Sequence, residues 1–475
     1  MKRAAVLLLF ASLLGCQGGP GEEPAASASP RRVFLITVDT LRADHMSLYG
    51  YPRETSPRLA QLAAGGVTFD RAIAQWPKTG SSFASIFTGL YPHTTGLTHK
   101  AALRIPEEYT TLPELFQESG FTTLAVQSNA VLASRFGWND GFDEYLETWG
   151  GGDFPQNPKE FRPLAHATKV NELALPLLRR HKDAERLFVW LHYSDPHAPY
   201  MLPPGEANPF LDDDAFRAAA ERTVPRRVTR GYTLDGRDDL KYYVAQYDAN
   251  VRVADAAIQR VLDEARALGL LEDSLIVFTA DHGESLGEHN SWFEHGPLPY
   301  NTTAHVPLFF VRDGLPAGRR VGRPVELVDL YPTLLDLVFP KKKISGLEGQ
   351  TLLPFLEAGA GAGPKAGFDG FVQAFSSAGR RPDLYNSVQE GTWKLVYNSG
   401  GKRSRAASSP TGGFELYDLN QDPLETNNLA ASRTEELRRL RRDLMAWMKT
   451  ARAMGDEEDV DAEAEKALRA LGYTN

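Results

Sequence analysis

Four short apolar runs, each ending in side chains that can bind something, constrain this chain more than any other feature. Residues 33–38 (V-F-L-I-T-V) run into Asp39-Thr40, and residues 121–126 run into Gln127-Ser128-Asn129. Residues 187–191 (L-F-V-W-L) run into His192-Tyr193-Ser194-Asp195-Pro196-His197, and residues 275–278 into Thr279-Ala280-Asp281-His282-Gly283-Glu284. Nearly continuous apolar runs of this length are strands buried on both faces. Helical spacing lies between them, at 55–62, 112–118 and 243–268, so the expected fold is α/β with a mostly parallel sheet sandwiched by helices. Ligands of such sheets bind beyond the carboxyl ends of the strands. Asp39, Asn129, Asp195 with His197, and Asp281 with His282 are therefore expected along one edge.

A fifth stretch, residues 76–96 (W-P-K-T-G-S-S-F-A-S-I-F-T-G-L-Y-P-H-T-T-G), reads as a loop feeding a short buried helix with Thr79 to Ser82 at its start. The first turn of a helix presents unpaired N–H groups and partial positive charge, which suits a tetrahedral oxyanion. A hydroxyl nucleophile there would sit beside the group it attacks. The plainer alternative is a Ser/Thr cap on a core helix.

Two carboxylates, an imidazole and a hydroxyl carried to one edge are a donor set for a divalent cation: Asp39, Asp281, His282 and Thr79. A cation there would activate a weak hydroxyl nucleophile and stabilise charge on an ester oxygen. His197 and His295 could neutralise the oxyanion or protonate the leaving group.

The remainder sets context. With 52 basic against 61 acidic residues the chain has no surplus of positive charge for phosphate backbones, which argues against nucleic acid as a partner. Residues 1–15 have the form of a signal peptide, two cations before a short apolar run, and end in Leu-Leu-Gly ahead of Cys16. That pattern resembles a bacterial lipobox. Cys16 is the only cysteine, so it is read as a lipid attachment point and not as a structural thiol. Residues 16–32 then form a flexible tether, and the expected location is membrane-anchored in the cell envelope, in the periplasm or at the cell surface. Residues 33–360 are read as the catalytic α/β domain, with a charged insertion or lid at 203–239. A composition break at 358–366 (A-G-A-G-A-G-P-K-A) precedes an α+β subdomain at 367–475. Its expected strands are 371–374, 392–397 and 414–419, followed by a helix opened by a Ser432-x-x-Glu435 capping box.

Taken in order, V-D-T-L-R-A-D-H (38–45), S-I-F-T-G-L-Y-P-H (85–93), D-P-H-A-P-Y (195–200), T-A-D-H-G-E-S-L-G-E-H (279–289), H-V-P-L (305–308) and E-L-Y-D-L-N-Q-D-P-L-E-T-N-N-L (415–429) resemble the sulfatase family of the alkaline phosphatase superfamily. The resemblance implies an alkaline-phosphatase-like fold and metal binding by Asp39, Asp281 and His282. It also implies Thr79 as nucleophile, His197 and His295 on the substrate's oxyanion, and support roles for Arg42 and Asp44. The chain departs from the family pattern at the nucleophile. Sulfatases usually carry a cysteine or serine that becomes formylglycine, followed by x-Pro-Ser/Thr-Arg, whereas Thr79 occupies that place with Ser81 and Phe83 where Pro and Arg belong. A threonine has a methyl on Cβ and cannot be oxidised to the aldehyde, so no formylglycine is expected. The usual paired aspartates are Asp39-Thr40, and the expected lysine and histidine align with Ser128 and Ala130. The threonine is similar instead to the phosphodiesterase and phosphotransferase branches of the superfamily. The leading expectation is a hydrolase of sulfate or phosphate esters that uses one zinc, manganese or calcium ion. Its substrate would be a small molecule, glycan or lipid, bound in part by Asn129. A phosphoryl-type transferase of the envelope and a non-catalytic binding protein are the alternatives.

Overall fold

The computed structural model describes residues 29–98, 104–150, 165–211, 222–225, 228, 234, 236–357, 373–380, 383–398 and 413–452. The expected signal peptide, Cys16, most of the expected tether, the 358–366 break and much of the 203–239 insertion lie outside the described residues.

The strands are β1 (Arg32–Val38), β2 (Val67–Ile73), β3 (Thr122–Gln127), β4 (Glu144–Glu147), β5 (Leu187–Tyr193) and β6 (Ser274–Ala280). They continue with the short β7 (Ser285–Leu286) and β8 (Trp292–Glu294), then β9 (His305–Val311) and β10 (Arg319–Glu326). The main sheet has eight strands in the order β10-β2-β9-β6-β1-β5-β3-β4, and β9 alone runs antiparallel to its neighbours. This is the expected mostly parallel sheet. β1 sits between β5 and β6, with Val38 opposite both Tyr193 and Ala280. That register brings the three strand ends level, so Asp39 and Asp281 emerge side by side.

Helices cover the sheet: α1 (Pro57–Ala63), α2 (Thr79–Thr88), α3 (Leu112–Glu118), α4 (Ala167–Arg180), α5 (Leu240–Ala267) and α6 (Leu330–Val338). α4 was not anticipated from the sequence; it begins at Ala167 and carries Pro176 within it. β2 and β10 were likewise not anticipated, because V-T-F-D-R-A-I and R-R-V-G-R-P-V-E are broken by charge, as partly exposed strands near a sheet edge are. Where the 203–239 insertion is described, Phe210, Val224 and Leu234 are buried, and Asn208 donates to Gln246 of α5 at 2.5 Å.

A second sheet of four antiparallel strands, β11 (Gln373–Arg380), β12 (Asp383–Glu390), β13 (Trp393–Asn398) and β14 (Phe414–Asp418), packs under α7 (Thr434–Arg452). Leu440, Leu444 and Met448 of α7 form its core with Val388, Leu395 and Leu416, so the apolar stripe of that helix is packing. β12 is additional to the strands read from sequence. The Ser432 hydroxyl donates to the Leu429 carbonyl at 3.2 Å. Among the described residues no helix is long and apolar enough to cross a membrane.

The loop after β1 is fixed by Asp248 of α5. Its carboxylate is fully buried and accepts from His45 Nδ1, Tyr51 Oη and Arg53 NH1, each at 2.7 Å. Arg53 is itself 3 % exposed. Asp248→Ala would remove the buried carboxylate that His45, Tyr51 and Arg53 share, and breaking a buried pair from one side costs about 3–5 kcal/mol. Urea denaturation of the variant should show a loss of that order; a loss below about 1 kcal/mol would mean that Arg53 finds water instead.

Candidate active site

Thr79 is the first residue of α2, not its cap. The cap position is Lys78, with extended backbone and no side-chain hydrogen bond to the helix. The N–H groups of the first turn therefore have no capping side chain, as an anion-binding end requires. Ser82 Oγ donates to the Asp281 carbonyl at 2.6 Å, tying this turn to the end of β6. At the other end Gly89 adopts φ 69°, and a Cβ there would lie 3.0 Å from Leu347 and 3.2 Å from Tyr331. Glycine thus lets the helix stop against α6.

Thr79 Oγ1 lies 3.3 Å from His282 Nε2. His282 Nδ1 is 2.9 Å from the Gly283 carbonyl and so carries the proton, leaving the Nε2 lone pair facing the site. Nε2 also lies 3.4 Å from Asp281 Oδ2 and 3.9 Å from Asp39 Oδ1. Asp281 Oδ1 is held by the backbone N–H groups of His282 at 2.9 Å and Thr40 at 3.3 Å. Asp39 Oδ2 accepts from Asn129 Nδ2 at 2.6 Å. The other oxygens, Asp39 Oδ1 and Asp281 Oδ2, are buried and have no hydrogen-bond partner.

Burial raises the Asp39 carboxyl to about 6 and the Asp281 carboxyl to about 7, with Asp281 adding repulsion on Asp39. Burial also holds His282 down to about 4. Two carboxylates and an imidazole with orphaned atoms in a dry cluster fit a cation far better than they fit one another.

The structure thus brings Asp39, Thr79, Asn129, Asp281 and His282 together. Asn129 is engaged at both ends, since its Oδ1 accepts from the Val131 N–H at 2.8 Å while Nδ2 serves Asp39 and lies 3.5 Å from Thr79 Oγ1. Its contacts position Asp39 and Thr79. The histidines stand in a row, with ring centroids 4.4 Å apart for His282 and His295 and 5.1 Å for His197 and His295. His197 Nδ1 donates to the Ala198 carbonyl at 2.6 Å, and its Nε2 is buried with no hydrogen-bond partner. Asp195 lies apart from this group, bonded to His166 Nδ1 at 3.2 Å and to the Ala167 N–H at 2.6 Å. Arg42 makes two bonds to Asp44, at 2.9 and 2.7 Å, and one to Glu288 at 2.8 Å, bracing the loops around the site.

Three residues here were not singled out from sequence. Glu284 Oε1 is 2.9 Å from His295 Nδ1 and fixes that ring; its place in T-A-D-H-G-E was the available signal. The Lys78 side chain lies over Gly296, whose missing Cβ leaves it room, and its charge acts on His282 and His295. His192, fully buried on β5, puts Nε2 3.8 Å from Asp39 Oδ2, and forms with Asp39 and Asp281 a group whose donor atoms lie within 4.8 Å of one another.

Comparison with known proteins agrees with this fold. The Sulfatase family model matches residues 31–339. A sulfatase of Formosa agariphila is 25% identical over 384 residues, covering 71% of this chain and 75% of its own. Among solved structures, a 2-O GAG sulfatase superposes with a TM-score of 0.69 at 21% identity, covering 92% of this chain and 96% of its own. The phosphonate monoester hydrolase of Agrobacterium radiobacter superposes with a TM-score of 0.65 at 20% identity, covering 89% and 95%. By the family match, the chain belongs to the sulfatase family of ester hydrolases.

Proposed function

We propose that the protein hydrolyses a phosphoric or sulfuric ester through a covalent intermediate on Thr79, with a phosphoryl-type substrate favoured. The observation that carries this reading is the place of Thr79 Oγ1. It stands at the open first turn of α2, 3.3 Å from His282 Nε2 and beside the partnerless Asp39 Oδ1 and Asp281 Oδ2. Asp39, Asp281, His282 and Thr79 would hold one divalent cation. When bound, it would lower the pKa of the threonine hydroxyl and take up charge on an ester oxygen.

The chain's own groups supply the rest. The first-turn N–H groups of α2 face the non-bridging oxygens. Thr79 loses its proton to water, its Oγ bonds to phosphorus or sulfur, and the bond to the leaving oxygen breaks. The leaving oxygen takes its proton from water, or from His197 or His295 in the row beyond His282 once that ring has itself taken a proton from water at Nε2, since each Nδ1 is already committed to Ala198 or Glu284. Water then attacks the adduct and returns the hydroxyl.

The threonine is what favours phosphorus. A formylglycine hydrate can expel sulfate by collapsing to the aldehyde, whereas a threonine ester has no such exit and must be opened by water at the phosphorus or sulfur atom. The fold accommodates either chemistry, since its neighbours include both a sulfatase and a phosphonate monoester hydrolase. The substrate is a small molecule or a glycan or lipid ester. The N-terminal pattern ending at Cys16 supports export and anchoring in the envelope.

The test is a rapid acid quench of the metal-loaded protein during turnover of aryl sulfate, phosphate monoester, phosphodiester and phosphonate ester, followed by peptide mass spectrometry. A phosphoryl-type adduct on Thr79 is expected. A sulfated Thr79 would reverse the preference, and turnover without any adduct at Thr79 would refute the nucleophile. Failure to turn over any ester would favour a binding role.

A further inference from the structure

We propose that His192 is a ligand of the same cation, so that two imidazoles face two carboxylates and the site takes zinc or a similar borderline metal in preference to calcium. This rests on the metal-dependent reading above but adds a residue and a choice of ion that the sequence did not single out.

The first argument is orphaned atoms. Asp39 Oδ1, Asp281 Oδ2 and His192 Nε2 are all buried and all lack a hydrogen-bond partner. His192 is 0 % exposed, on the central strand next to β1, and its register partner is Thr37, two residues before Asp39. A buried ring nitrogen left without a partner in a well-packed sheet needs an explanation.

The second argument is tautomer. Trp190 Nε1 donates to Thr37 Oγ1 at 2.9 Å, and an indole N–H can only donate. The Thr37 proton has an acceptor in the Leu191 carbonyl at 3.3 Å. One Thr37 lone pair then remains for His192 Nδ1 at 3.0 Å, which must be the protonated nitrogen. This assignment satisfies each group and leaves an Nε2 lone pair pointing toward Asp39. The opposite tautomer would send Nε2–H to Asp39 Oδ2 at 3.8 Å, too far for a hydrogen bond. Thr37 and Trp190 thus act on His192 as outer partners act on metal-binding histidines, fixing which nitrogen is free.

The third argument is spacing. Donors each about 2.0–2.2 Å from one ion lie roughly 3–4 Å from each other. The 3.9 and 3.4 Å from His282 Nε2 to Asp39 Oδ1 and Asp281 Oδ2 are in that range, and the donor atoms of His192, Asp39 and Asp281 all lie within 4.8 Å of one another, close enough to draw in around an ion.

The ion's identity follows from what the site lacks. Calcium takes about 6–8 oxygens. Here one oxygen of each aspartate is already bonded to protein donors, and the Asn129 amide oxygen is held by the Val131 N–H. The Thr40 hydroxyl is buried without a hydrogen-bond partner, and even with it and Thr79 Oγ1 added to Asp39 Oδ1 and Asp281 Oδ2 the free side-chain oxygens reach four, short of that number. Imidazole is a good ligand for zinc and a poor one for calcium.

The experiment strips the full chain with chelator and measures zinc and calcium affinity by competition, with the cobalt(II) visible spectrum as a second readout. Wild type should bind zinc far more tightly than calcium. His192→Ala should weaken zinc at least about tenfold and alter the cobalt bands, while calcium affinity moves less than about threefold. His192→Gln, which keeps the volume and a donor for Thr37, decides the matter if the alanine variant does not fold. Thr37→Val should weaken zinc to a lesser degree, with a folded spectrum.

Unchanged zinc affinity and cobalt bands in both His192 variants would remove His192 from the ligand set. Tighter calcium than zinc in wild type would overturn the metal preference. The outcome is separable from that of the quench experiment: zinc binding that depends on His192, with no adduct on Thr79, would leave this assignment standing while the nucleophile failed.

Discussion

Replacing Thr79 by alanine should cut kcat by at least about 10³-fold, with little change in thermal stability. Removing a nucleophile that acts together with its activating groups leaves only the rate supplied by binding and electrostatics. The fold should barely register the change. Thr79 is buried, but its hydroxyl makes a 3.3 Å contact to His282 and a 3.5 Å contact to Asn129 and also acts on Asp281, and a hydrogen bond of that kind is worth about 1 kcal/mol. The residue begins α2 without capping it, and alanine is at least as good a helix former there. Thr79→Ser keeps the oxygen and should stay within about tenfold of wild type. Steady-state rates and melting curves on the three proteins check both halves. A kcat within tenfold of wild type for Thr79→Ala would show that water, or another hydroxyl such as Ser81 or Ser82, attacks the ester.

Thr79, Asp39, Asp281 and His282 were legible in the sequence because the signal for each is local and the rule that unites them is topological. An unbroken apolar run announces a central strand, and the residue just past its end must lie on the ligand-binding edge of a parallel sheet. His192 stands just past the 187–191 run, but β5 continues to Tyr193, and the sequence directed attention to Asp195 and His197 instead. What makes it interesting is the Trp190–Thr37 relay and the neighbouring Asp39, and those depend on the register between β1 and β5. α4 was not legible for a similar reason. A helix that starts after His166 and contains Pro176 shows weak start signals, and its burial against α5 outweighs local preference. Asn129 shows the limit from the other side. Its position was legible, but the commitment of both its amide atoms to Asp39 and Val131 depends on three-dimensional neighbours.

Added cation should stabilise the protein much more at pH 8 than at pH 5. The sign follows from the two buried carboxyls. Asp39 and Asp281 are raised from 3.8 to about 6 and about 7, mainly by burial, so the folded chain holds these protons more tightly than the unfolded chain does. Their contribution therefore favours folding at pH below about 4. It erodes as pH climbs through 6 and 7, where both must ionise in a dry site 0 % exposed to solvent. Each tenfold change in proton affinity is worth about 1.4 kcal/mol, so the two groups together oppose folding by several kcal/mol at pH 8. A cation between them removes that opposition, and at 100 times its Kd adds about 2.7 kcal/mol by mass action.

Melting curves at pH 5 and pH 8, with chelator and with zinc, should thus differ by about 5 °C or more in the benefit from metal. Asp39→Asn supplies the internal control. It keeps the shape and an acceptor for Asn129 but removes one charge, so the metal-free variant should melt higher than wild type at pH 8 while gaining little from zinc. Equal metal benefit at both pH values, with no rise for Asp39→Asn, would mean that these carboxylates do not share a cation. The function built on their convergence with Thr79 would then have to be abandoned, because the Asn129 amide and the two backbone N–H groups only partly offset the burial of two acids side by side.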